Sequence, residues 1–175
     1  LLGGNDVLTV TGLASQKTLV IDTGAGDDSV TLTGVTGEKK VVVRTGDGAD
    51  NVAIADSTFN SRTDVMTSNK SKGNQTDNDG ADTLNITGTD FVSSSNLATG
   101  SAADTLTIDT SNFGRNTKIN TGEDNNSLTV TESTFMGLQT TTGDGDNTLM
   151  LVSSDFDRLA VTTGEGERSE ERRVG

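Results

Sequence analysis

The chain has 175 residues and a formal net charge of −13, from thirteen Lys and Arg against twenty-six Asp and Glu, with no Cys, His, Trp, Tyr or Pro. Without Cys or His there is no disulfide framework, no zinc or haem site of the usual kind, and no Ser-His or Cys-His nucleophile pair. Nineteen of the acids are Asp, and with thirty Thr and twenty-one Gly the composition favours strands and tight turns over helices.

The first segment, Gly4-Asn5-Asp6-Val7-Leu8-Thr9-Val10, is a partial copy of a pattern that recurs to the end of the chain. The sequence therefore reads as an internal piece of a longer array, and it does not open on a charged, apolar and small-residue leader. Aligned on T-G-x-G-x-[DN]-x-[VL]-x-[VIL], copies run over 23–32, 45–54, 99–108, 121–130 and 142–151, with partial copies at 79–86 and 163–166. Successive Thr anchors lie 22, 54, 22, 21 and 21 residues apart, the gap of 54 being two repeats plus ten residues. A hydrophobic content of 30% with this charge would by itself suit a disordered chain. A fixed period in the twenties instead signals a solenoid, each repeat forming one coil stacked on the last.

Within each copy, Leu8, Val30, Val52, Leu84, Leu106, Leu128 and Leu149 form one apolar column, and Val10, Leu32, Ile54, Ile86, Ile108, Val130 and Leu151 form another two residues on. This alternation predicts a strand with one face inward. A second strand is predicted before each Thr-Gly turn, with Ile21, Val43, Val65, Leu97, Ile119, Thr140 and Val161 inward. Its neighbouring column of Leu19, Val41, Ser95, Thr117, Leu138 and Leu159 is more polar and predicts a thinner core in the middle coils. All five Phe residues, Phe59, Phe91, Phe113, Phe135 and Phe156, fall five positions after the second apolar column. At an inter-strand spacing of about 4.8 Å they predict an aromatic ladder inside the solenoid, with Leu13 and Val35 filling the neighbouring space in the first coils.

Two segments interrupt the pattern. The ten-residue excess, Asn69 to Asn78, reads as a polar loop insertion on the surface. From Arg168 to Gly175 the chain reads R-S-E-E-R-R-V-G, which resembles the direct translation of a short-read sequencing adapter. Residues 168–175 are therefore set apart from the native repeat, 1–167, as a reading artefact of an incomplete gene assembly. Without them ten positive and twenty-four negative residues remain.

The turns concentrate the acid. Asp28, Asp50, Asp82 and Asp104 share one column, continued by Asn126 and Asn147, and are flanked by carboxylates that include Asp27 and Asp47. Two like charges about 4.8 Å apart repel by roughly 0.9 kcal/mol in water and about 3.5 kcal/mol at an effective dielectric of 20. Calcium answers this physically, taking oxygen ligands from carboxylates and from carbonyls that Gly lets approach. Gly24, Gly26, Asp28 and Val30, and again Gly46, Gly48, Asp50 and Val52, resemble the turn of the RTX calcium-binding repeats, although the leading Gly of that pattern is Thr here and copies recur every 21 or 22 residues. That resemblance implies calcium as cofactor, held by Asp28, Asp50, Asp82, Asp104, Asp27 and Asp47 with Gly24, Gly26, Gly46 and Gly48 forming the turns. The alternative from the residues alone is that each Asp or Asn accepts hydrogen bonds from its own turn, a ladder in which Asn stacks without charge.

The expected fold is all-β: a parallel β-solenoid, right-handed by its coil length, with about seven and a half coils of 21–22 residues. It resembles Thr/Gly/Asp-rich solenoid segments of large bacterial extracellular proteins, which implies a structural or adhesive stalk at the cell surface. Its partners would be neighbouring coils of the parent chain and a cell-surface, polysaccharide or matrix ligand. The acidity speaks against nucleic acid, and no apolar run reaches membrane-spanning length. Carboxylates that repeat rather than cluster once argue against an enzyme. A polysaccharide-binding or polysaccharide-cleaving β-helix is the alternative. An outward Thr stripe, Thr9, Thr31, Thr107 and Thr129 with Thr11, Thr33, Thr87 and Thr131, carries a lesser one, since it resembles ice-binding solenoids, yet Thr is also an ordinary exposed strand residue.

Overall fold

The computed structural model describes residues 3–68, 79–165 and 169–173. Among them there is no helix, and the strands form two parallel sheets wound into a β-solenoid of about 7 turns. The insertion expected at 69–78 lies outside the described residues.

The eight-stranded sheet is built from Val7–Thr11, Ser29–Thr33, Asn51–Ala55, Thr83–Thr87, Thr105–Asp109, Ser127–Thr131, Thr148–Val152 and Ser169–Arg173, stacked in that order. Register pairs Leu8 with Val30, Val30 with Val52, Leu84 with Val52, and so on to Leu128 with Leu149, so the apolar columns read from the sequence are the columns of the fold. Ser169–Arg173, from the adapter-like stretch, pairs with Thr148–Val152 and sets Glu170 and Arg172 in register with Leu149 and Leu151. The two columns thus end on charged residues where every preceding coil is apolar.

The second sheet holds the strands that precede the Thr-Gly turns, such as Leu19–Ala25, Val41–Asp47, Thr63–Met66 and Ser95–Ala98, together with short strands such as Thr58–Phe59 and Asp90–Phe91. Parallel strands that face across one core need apolar residues inward from both sides. Val30, Leu32, Val43, Ile54, Val65, Leu84, Leu97 and Ile108 are all buried there. In the polar column Thr63, Ser95 and Thr117 are buried too, and Ser95 and Thr117 join their hydroxyls at 2.9 Å. Where this column is polar, the Ser95 and Thr117 hydroxyls satisfy each other, and Thr63 turns to the Ser61 carbonyl, as burial requires.

The Phe ladder forms as expected. Phe91, Phe113 and Phe135 stack face to face with centroids 4.5 and 4.4 Å apart, within 6° and 5° of parallel. Phe59 tilts by 55° from Phe91 because the coil before it offers Gly37 in the same register. A Cβ on Gly37 would lie 3.2 Å from Phe59 Cδ1, so the Phe59 ring leans into space that a side chain would otherwise fill. Leu13 and Val35 do not extend this ladder. Register places Val35 in the column of Ser57, two residues ahead of the Phe column, where it is fully buried while Leu13 is exposed.

Phe113 has ring neighbours on both sides and no solvent exposure. Phe113→Ala is predicted to destabilise the protein by about 3–5 kcal/mol, read from chemical denaturation. A loss below about 1 kcal/mol would mean that the ladder carries little of the packing.

Candidate cation site in the stacked turns

The turn begins at a buried Thr. Oγ1 of Thr23 donates to the carbonyl of Thr45 at 3.1 Å, Thr45 to Thr67 at 3.1 Å, Thr67 to Thr99 at 2.9 Å and Thr99 to Thr121 at 3.3 Å. Thr67 is the anchor missing from the 54-residue gap. It is followed by Ser68 rather than Gly, which hid it from the Thr-Gly pattern. The coil steps across it are 22 and 32 residues, so the extra ten leave the register intact.

The Gly residues serve coil contact first. Gly26 and Gly48 have φ of 129° and 127°. A Cβ on Gly26 would sit 2.6 Å from the carbonyl carbon and oxygen of Gly4, and one on Gly48 would collide with the carbonyl oxygen of Gly26. Ala102 and Asp124, later in the same column, keep positive φ of 80° and 68°. The stack therefore holds a left-handed turn even where the sequence offers no Gly. Gly24 and Gly46 pair in register at the head of the turn, with φ of 109° and 111°.

The acid column forms a ladder between coils. Oδ1 of Asp28 accepts the Asp6 N–H at 2.7 Å, Oδ1 of Asp50 accepts the Asp28 N–H at 2.8 Å, and Oδ1 of Asp82 accepts the Asp50 N–H at 2.7 Å. Asp104, Asn126 and Asn147 continue the series at 2.8, 2.9 and 3.0 Å. Asp28, Asp50, Asp82 and Asp104 are at most 2% exposed. The Oδ1 acceptor thus serves the preceding coil rather than its own turn, which corrects the local-turn alternative for these Asp residues.

The second side-chain atom separates Asp from Asn. Nδ2 of Asn126 donates into its own turn, to the carbonyls of Gly122 at 3.3 Å, Glu123 at 2.9 Å and Asp124 at 3.0 Å. Nδ2 of Asn147 does the same toward Gly143 and Gly145, at 2.9 and 3.0 Å. Three carbonyls converging on one point make a nest for a donor or a positive charge. In the Asp coils the equivalent atom is a carboxylate oxygen; Oδ2 of Asp28 is buried with no hydrogen-bond partner among the described residues, while the Asp50 carboxyl has the Thr45 hydroxyl beside it. Oδ2 of Asp82 lies in hydrogen-bond contact with the Thr67 hydroxyl oxygen.

Burial, helped by the Asp79 and Asp104 carboxylates, pushes the Asp82 pKa up from its ordinary 3.8 to about 8, against the pull of the Thr67 hydroxyl and the Asp50 N–H. Asp50 is also raised, chiefly by burial, with Asp28 and Asp27 adding repulsion and the Thr45 hydroxyl and the Asp28 N–H opposing it.

The other expected ligands stand apart from this column. Asp27 is exposed and its Oδ1 accepts the Ala49 N–H at 3.0 Å, while Asp47 is half-buried and gives its main-chain carbonyl to the Gly26 N–H at 2.8 Å. Among the described residues no three or more Asp or Glu side chains gather as the ligand set of a metal ion. A cation here would draw on one carboxylate oxygen and several main-chain carbonyls, and the orphaned Oδ2 of Asp28 fits such a site.

Two features escaped the sequence reading. Ser57, Thr89, Ser111, Ser133 and Ser154 form a hydroxyl ladder on the other side of the coil. Each oxygen accepts an N–H from the preceding coil and donates to the carbonyl two residues back, as Ser111 does to Asp109 at 2.8 Å. The available signal was a Ser or Thr two residues before each Phe. The second feature is Asp64, 4% exposed on the outer side of its strand, with Lys40 and Arg62 each at 2.8 Å. Burial raises its pKa, but the two cations outweigh that and hold the carboxyl below its ordinary range.

Fold and site together define a parallel β-solenoid with stacked Asp/Asn turns. Compared with protein-family models, curated proteins and solved structures, the chain matches none.

A carboxyl whose folded pKa lies above its unfolded one takes up a proton on folding. For Asp82 that stability is complete below 3.8 and lost as pH rises through about 8. The protein is therefore predicted to melt at a lower temperature at pH 9 than at pH 6, and Asp82→Asn to reduce the difference. A melting temperature unchanged across that range in the parent chain contradicts the buried carboxyl.

Proposed function

We propose that the chain is a rigid, cation-stabilised spacer segment of an extracellular or cell-surface repeat protein, a stalk whose outer faces are available for adhesion. The observation that carries this reading is the contrast within one column. Where Asn126 places an amide donor against its turn's carbonyls, Asp28 places a buried oxygen with no donor among the described residues. A hard cation relieves this by binding Oδ2 with the carbonyls of Gly24, Ala25 and Gly26. Calcium suits an all-oxygen set with carbonyl ligands, and sites of about 10⁻⁴–10⁻³ M affinity are typical of extracellular modules. The lack of Cys and the acidic surface agree with such a setting without requiring it.

The spacer role follows from the stacking. Each coil adds about 4.8 Å of length and repeats the contacts of the last, so a longer array is a longer rod of the same cross-section. Carboxylates spread along that rod offer no single catalytic pair, and the reading is structural rather than enzymatic.

Calcium is predicted to raise the melting temperature well beyond magnesium at equal ionic strength. In Asp28→Asn/Asp50→Asn that difference shrinks, while the variant stays folded because Asn supplies its own donor. Equal shifts with both ions in the parent chain would leave only general charge screening and end the cation reading.

A further inference from the structure

Most outward positions of the second sheet carry side chains of ordinary length, but the last coils leave a depression of about 230 Å³ there. Its rim is Asn116, Lys118, Gln139 and Arg158, and its floor is opened by Gly137 and Ala160. Register accounts for the shape. Asn116 pairs with Gly137, and Lys118 pairs with Gln139, which pairs with Ala160, so each row of long side chains contains one position with little or none.

The exposed guanidinium of Arg158 is steadied by one hydrogen bond across the depression. Its Nη2 donates to Asn116 Oδ1 at 3.0 Å, reaching over Gly137 from 42 residues further along the chain. A Cβ on Gly137 would stand 2.9 Å from that Asn116 oxygen and 3.6 Å from Nε and Nη2 of Arg158, so the bridge depends on the glycine. Holding the fork fixed lowers the entropy lost when it takes a ligand. No carboxylate lines the depression, although the chain as a whole carries −13. Arg115 precedes it on the same strand, and the acids closest to Arg158 in sequence, Asp155 and Asp157, are not among the lining residues.

Arg158, Lys118, Gln139 and Asn116 supply donors around a depression whose wall is mostly apolar. The cations suit an anionic group, a planar fork pairs best with a planar carboxylate, and the amides suit hydroxyls. We propose that this depression binds one uronic acid unit of an acidic polysaccharide, its carboxylate on Arg158 and Lys118 and its ring hydroxyls on Gln139 and Asn116. The site lies on the outer face and uses no turn carboxylate, so it stands or falls separately from the cation reading.

The experiment is calorimetric or NMR titration of the full chain with trigalacturonate, its methyl ester and a sulfated disaccharide, at one fixed calcium concentration. Saturable binding of trigalacturonate is expected. Lys118→Ala/Arg158→Ala should weaken it by about tenfold or more, the scale of a lost charge-assisted contact. Gln139→Glu, which puts a carboxylate on the rim and removes no cation, should weaken it comparably with an unchanged melting temperature. Absence of saturable binding overturns the proposal, as does full affinity in both variants. Equal binding of the methyl ester removes the carboxylate from the recognition. Equal, Arg158-dependent binding of the sulfated sugar reduces the site to a general anion contact and overturns the uronate assignment.

Discussion

Among the described residues, successive coils are tied together by a side-chain oxygen that accepts the main-chain N–H one coil back. Oδ1 of the Asp and Asn column does this at one turn, and the Ser and Thr hydroxyls do it near the Phe ladder. Turns interrupt the backbone ladder of a parallel sheet and would leave N–H groups buried without partners, a cost of about 1–3 kcal/mol each. One short polar side chain per turn removes that cost, provided the same column position is filled in each coil. Identity along a column is thus a condition of burial. It also fixes register: the coil with ten extra residues between Ser68 and Asp79 returns to the ladder because Asp50 still finds Asp82.

The condition is met unequally along the rod. Asn brings both an acceptor for the coil before and a donor for its own turn. Asp brings the acceptor but sets a second oxygen against carbonyls. The first coils use Asp and the last use Asn, so the need for a positive species is greatest in the first coils and absent where Asn126 and Asn147 stand. In an Asp coil that species is a metal ion or a proton, and the two compete for the same oxygen. On the cation reading proposed above, occupancy and acidity are linked, because a cation that fills the nest competes with the proton of a raised carboxyl.

Much of this was legible in periodicity. Column membership, the stacking of Phe91 on Phe113 and the common fate of Asp28 and Asp50 follow from spacing alone, because a solenoid converts equal spacing into contact. Direction was not legible. Whether an Asp oxygen reaches into its own turn or to the coil before depends on the backbone twist of that turn, which spacing does not encode. With thirty Thr in the chain, the buried hydroxyl columns could not be told from exposed strand Thr. Val35 misled because two apolar residues near the ladder look alike until register separates inward neighbours. Asp64 sits in an outward column where its burial against Lys40 and Arg62 left no periodic trace.

The outer faces escape the column condition, and there the two sheets diverge. On the eight-stranded sheet from Val7–Thr11 to Thr148–Val152, outward residues are small and almost uncharged, with Asp109 the exception. The second sheet carries Arg44, Asp64 and Lys118, and its outward columns change residue type within a few coils, as from Val20 and Val42 to Asp64. An outward substitution such as Gly137 costs no ladder bond, so a recess can open there without loosening the stack beneath it. The inward residues set the rod's length and stiffness, and the outward ones are free to set what it touches. On the proposed reading, that division lets one repeat serve as spacer throughout and acquire a binding surface in any coil, at the expense of a single outward side chain.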